Sequence, residues 1–120
     1  MTAPQSPTQG VTFELSALSE ELRAEPAYQH SGHTARTLTR TEDLRVVLVA
    51  LQAGKQLAEH QAKVTATVQA LSGRVRLRLP SHTVELVAGQ LLVLAAGLPL
   101  DVQALDDSLF LLTLGWAPKT

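Results

Sequence analysis

The sequence predicts an all-β domain, a sandwich or barrel, preceded by one short helix. Three observations carry this. From "HTARTLTRTEDLRVVLVAL" onward, no long stretch holds apolar residues at helical spacing. Short runs rich in Val, Leu and Thr take its place. Gly54, Gly73, Gly89 and Gly97 punctuate those runs as turn signals do between strands.

Residues 1–10 hold Pro, Gln, Ser, Thr and Gly without an apolar period and read as a flexible tail. In "FELSALSEELRAE", Leu15, Leu18 and Leu22 recur at helical spacing, and Ser16 stands where a cap belongs. The expected helix covers roughly 16–24, and Pro26 ends it. The domain plan is then a tail (1–10), a helix with its connecting loop (11–34), a barrel (35–116) and a tail (117–120).

The sharpest local expectation is a hairpin in "GRVRLRLPSHTVELVAG", turning at Pro80-Ser81. Folding there sets Leu77 opposite Val84, Val75 opposite Leu86, and Arg76 opposite Glu85. Apolar meets apolar and charge meets counter-charge, which fixes the register. Arg74, Arg76 and Arg78 form a stripe on one strand face. Without interleaved aromatics it reads as a solvated face, not a phosphate grip.

"RVVLVAL" (45–51) and "LFLLTL" (109–114) do not alternate, so both of their faces are apolar. The N-terminal helix, a second sheet or another subunit must cover the outer face. One short helix is a small cover for that area, and a homodimer is expected.

A chain of 120 residues with 45% apolar content suits a single core. A net charge of −1 gives no pull toward nucleic acid or anionic lipid. The absence of cysteine excludes disulfides, thiolate metal sites and a cysteine nucleophile. "MTAPQSPTQG" has no apolar signal region, and no apolar run approaches bilayer length, so no membrane partner and a cytoplasmic location are expected. There is no serine nucleophile elbow, paired-carboxylate arrangement or phosphate-binding glycine loop.

Over about 35–115 the glycine frame resembles a small single-domain cupin. The first cupin motif reads G-x5-H-x-H-x3-E-x6-G. Gly54, His60 and Gly73 match it, with Ala62 at the second His position and Ala66 at the Glu position. The second reads G-x5-P-x-G-x2-H-x3-N. Gly89 and Gly97 match, with Ala95, Leu100 and Ala104 at the Pro, His and Asn positions. The resemblance implies a double-stranded β-helix, or jelly-roll barrel. It also implies a metal site whose ligands, apart from His60, have been replaced by Ala62, Ala66 and Leu100. Alanine and leucine offer a cation nothing, and one imidazole does not hold it, so no cofactor is expected.

Alternation puts 60, 62, 64 and 66 on one face. The pocket that follows is lined by His60, Ala62, Val64, Ala66, Val68, Leu100 and Val102, an apolar cavity with one titratable group. His60 is the only catalytic candidate, as acid, base or hydrogen-bond anchor. Neighbouring Glu59 and Gln69 should face away from the cavity, and His82 falls in the hairpin turn. His30 and His33 read as loop residues, since Ser31-Gly32 argues against a helix; the alternative is that the N-terminal segment folds over the barrel mouth and supplies one of them to the pocket. Tyr28 and Trp116 flank the barrel and are candidates for its mouth or for packing. Arg45 either reaches an anionic ligand or pairs with Glu42 or Asp43.

Three functions compete at this point. The first is a metal-free protein binding a small organic molecule. The second is an enzyme using His60, through isomerase-type chemistry or a non-standard metal site. The third is a dimerisation module without a ligand.

Overall fold

The computed structural model describes residues 10–61 and 63–115, with the backbone alone for 58–61. Most of the expected N-terminal tail, Ala62, Trp116 and the tail 117–120 lie outside the described residues.

Helix α1 runs Leu15–Ala24 and helix α2 Pro26–Ser31. Ser16 does not cap α1. Glu14 holds the cap position without a side-chain bond, while Ser16 lies inside the helix and its carbonyl accepts from Ser19 Oγ at 2.8 Å. Pro26 does more than end α1, because it opens α2, where its fixed φ and missing N–H are both tolerated. The expected loop around His30 is therefore helix. Burial of Tyr28 (6% exposed) supplies the tertiary support that six residues need. Gly32, at φ 82°, stops α2 in the left-handed region, and β1 begins directly at His33.

Nine strands follow among the described residues: β1 (His33–Arg40), β2 (Leu44–Leu51), β3 (Gln56–Gln61), β4 (Ala66–Ser72), β5 (Arg74–Arg78), β6 (Thr83–Val87), β7 (Leu91–Leu94), β8 (Pro99–Ala104) and β9 (Ser108–Gly115). They form sheets of order β1-β2-β9-β4-β7 and β3-β8-β5-β6. The pairs β2·β9, β3·β8, β4·β7 and β5·β6 are all antiparallel and nest inside one another. One long hairpin, turning between β5 and β6, has been wrapped around a barrel axis. That is a jelly roll, the double-stranded β-helix expected from the sequence.

The innermost hairpin has the expected register, with Leu77↔Val84, Val75↔Leu86 and Arg76↔Glu85. Arg76 Nη2 lies 3.3 Å from Glu85 Oε2, and Arg74, Arg76 and Arg78 are exposed. His82 sits exposed in the turn, its Nδ1 2.9 Å from Ser81 Oγ.

The doubly apolar strands have a different cover from the one expected. Val47, Val49 and Phe110 face the second sheet and join the main core. Leu48, Ala50 and Leu109 face the other way and are buried with Leu22 and Tyr28 of the two helices. Leu48 and Ala50 are 0% exposed within the single chain. The helices of the same chain thus shield this outer face, and it gives no reason to invoke a second subunit. Tyr28 packs there too, away from the barrel mouth.

Among the described residues, no helix is long and apolar enough to cross a membrane.

Candidate ligand cavity

The two sheets diverge enough to leave a cavity of about 420 Å³ between them. This lies in the usual range for small-molecule sites. Its walls follow from strand alternation. β4 contributes Ala66 and Val68, and β8 contributes Leu100 and Val102, while the intervening residues of each strand point elsewhere. Val64, just before β4, also lines it. Gln69 does not, in keeping with its parity.

Five of the expected lining residues therefore meet at one cavity: Val64, Ala66, Val68, Leu100 and Val102. Ala62 lies outside the described residues, as do the side chains of His60 and Glu59. The backbone of His60 pairs with Leu100 across β3 and β8, after a bulge that separates it from the Leu57↔Val102 pair. That bulge shifts the strand by one residue between two positions opposite cavity-lining partners.

The sequence did not place β1, β2 or β9 on the cavity. Val47, Val49, Phe110 and Leu112 form the wall opposite β8, and His33 and Ala35 close one side. Hydropathy gave no signal for β1, since His33, Ala35 and Thr37 are no more apolar as a set than Thr34, Arg36 and Leu38. His30 is exposed on α2 and takes no part, so the two histidines of H-x-x-H have separate fates.

The described lining contains no carboxylate. Its polar members are His33 and Arg45. They stand far apart, because His33 lies opposite Leu51 while Arg45 is six residues earlier on β2. At the usual rise this is roughly 20 Å along the strand. Arg45 Nη2 donates to Thr37 Oγ1 at 3.4 Å, and Arg45 Nε is buried without a partner. Among the described residues Arg45 forms no ion pair, with neither Glu42 nor Asp43. Asp43 instead accepts from Thr41 Oγ1 at 2.9 Å.

The metal implied by the family resemblance does not fit the residues present. Ala66 and Leu100, at two of its ligand positions, present only hydrocarbon to the cavity. Among the described residues, no three of His, Cys, Asp or Glu are grouped as a metal would need.

No protein-family model matches the sequence, and no curated protein matches it significantly. Solved structures do match. An RmlC-like cupin family protein from Methanocaldococcus jannaschii, described as having a double-stranded β-helix fold, superposes with a TM-score of 0.65 at 15% identity, over 69% of this chain and 79% of that one. This chain has the cupin fold. A conserved protein of unknown function from Streptococcus pyogenes is similar to this chain nearly end to end, with a TM-score of 0.75 at 23% identity, covering 99% and 98% of the two chains. Salicylate 1,2-dioxygenase from Pseudoaminobacter salicylatoxidans, in adducts with gentisate, matches with a TM-score of 0.76 at 16% identity, over 85% of this chain and 32% of the dioxygenase. At these identities the likeness concerns the fold, and one fold hosts many unrelated functions.

Proposed function

We propose that this cupin binds a small organic molecule in the cavity between its sheets, without a bound metal. The observation that carries the reading is the cavity itself: about 420 Å³, walled by aliphatic side chains and one phenylalanine, with polar groups only at His33 and Arg45 among the described lining. Apolar walls with a few placed polar groups are what a small-molecule site requires. A barrel serving only as an interaction module has no need of such a space, and close packing would have filled it.

Native mass spectrometry of tag-free protein, together with methyl NMR of Val64, Val68, Leu100 and Val102, tests the reading. Co-purified organic mass, or shifts at those methyls on adding metabolite mixtures, is the expected result. Methyl signals that no mixture moves would overturn it.

A second reading is an enzyme that uses His60. The position of His33 on the cavity wall favours it, since an imidazole is then available to that space. Elemental analysis separates the two readings. Stoichiometric transition metal lost in His60→Ala would establish the enzyme's non-standard metal site and remove the metal-free proposal.

A homodimer remains part of the proposal, on different grounds from β2. Leu91 and Val93 of β7, the edge strand of the larger sheet, are 56% and 62% exposed and present the apolar surface that a second copy would cover.

A further inference from the structure

Arg45 is the one cationic group among the cavity's described walls, and its surroundings leave it short of partners. Its Nε is buried with no hydrogen bond, its Nη2 has a single long bond to Thr37, and no carboxylate shares the described lining. A guanidinium drawn partly out of water without a counter-charge is unfavourable, and an anion arriving at it supplies the missing bond and the missing charge.

The remaining wall dictates what the anion is attached to. From Arg45 the inner face of β2 continues through Val47 and Val49, met by Val68, Leu100 and Phe110. Such a surface rejects a sugar or nucleotide, whose hydroxyls would be left without partners. It favours a hydrocarbon body.

We infer that the ligand of this cavity is an amphipathic carboxylate, its carboxyl group held by the Arg45 guanidinium and its hydrocarbon body lying between β2 and β8. This deepens the small-molecule reading above and rests on it. The planar guanidinium fork matches a carboxylate with two parallel bonds, which an ammonium does not reproduce. Arg45 is thus the specificity-determining residue of the cavity.

The test compares octanoate, 1-octanol and octylamine on the full chain at neutral pH, by calorimetry and by the lining methyl signals. Octanoate should bind about ten- to a hundredfold more tightly than 1-octanol, the range for a bond to a charged group, and octylamine more weakly still. Arg45→Met should erase the preference for octanoate while keeping the hydrocarbon contacts, and Arg45→Lys should restore only part of it. The wild-type comparison stands by itself if either variant fails to fold. Equal affinity for octanoate and 1-octanol, with methyl shifts from both, would overturn the carboxylate inference and leave the apolar pocket intact. Methyl signals untouched by all three probes would bring down the pocket reading and this inference together.

Discussion

Arg36 Nη2 lies 2.8 Å from Glu25 Oε2, an ion pair between the inner length of β1 and the single residue separating the two helices. Glu25 also accepts from Thr34 Oγ1 at 2.6 Å, and Arg36 Nη1 reaches Glu21 Oε1 at 3.3 Å. Arg36 is 13% exposed, so this pairing is shielded more than a surface bridge. It holds the helical cover against the sheet whose outer face it buries.

Removing the carboxylate should loosen that cover. Glu25→Ala leaves Thr34 and Arg36 without their acceptor and should lower stability by about 1–3 kcal/mol. Hydrogen exchange checks where the loss falls. Amides of α2 and the start of β1 should exchange faster, while those of β4 and β5 should not change.

Acid should act through the same group. Hydrogen bonds from Thr34, and then from Arg36, hold the Glu25 carboxyl below the usual glutamate range. A depressed carboxylate stabilises the fold above its unfolded value, and that contribution disappears as pH falls through the folded value. Stability measured by denaturant from pH 7 to 3 should therefore decline at the acid end, below the ordinary glutamate range, and decline less in Glu25→Gln. An identical acid slope in that variant would assign the effect elsewhere.

The motif glycines should not respond alike to substitution. Gly73, at φ +77°, packs against the backbone of Asp107 and Ser108, and an added Cβ would meet the Asp107 carbonyl oxygen. Gly89, at φ +91°, has nothing near its missing Cβ. Gly89→Ala should cost about 1–2 kcal/mol, the left-handed strain alone. Gly73→Ala should cost about 3 kcal/mol or more, because the turn between β4 and β5 must also shift. Paired chemical denaturation curves measure the difference.

Ala66 is 3% exposed and lines the cavity. Ala66→Leu adds hydrocarbon where there is space and should change stability by less than about 1.5 kcal/mol. It should also abolish octanoate binding measured by calorimetry. Undiminished binding would mean that the ligand lies outside the cavity.

The edge strand β7 tests association. Leu91→Lys with Val93→Lys should shift sedimentation toward the monomer at micromolar concentration without altering the core. A wild-type chain that already sediments as a monomer would remove the dimer proposal.

The hairpin of β5 and β6 was legible residue by residue, because its two strands lie next to each other in sequence and every cross-strand pair is local. The turns were legible as glycines, since a left-handed backbone selects that residue before any tertiary contact exists. The cavity was half legible. The faces of 64–68 and 100–102 follow from alternation once strands are assumed. The opposite wall was not, because Val47 and Phe110 sit in runs apolar on both faces, where alternation gives no direction.

By itself the sequence determined the β architecture, the barrel's turns and the hydrocarbon character of Ala66 and Leu100. Each of these depends on residue type or near-neighbour spacing. Only the tertiary structure decided that α1 and α2 cover Leu48 and Leu109, that Tyr28 lies beneath them, and that Arg45 meets the cavity with a partnerless nitrogen. These depend on contacts between residues far apart in the chain, and such contacts are set by how whole faces pack.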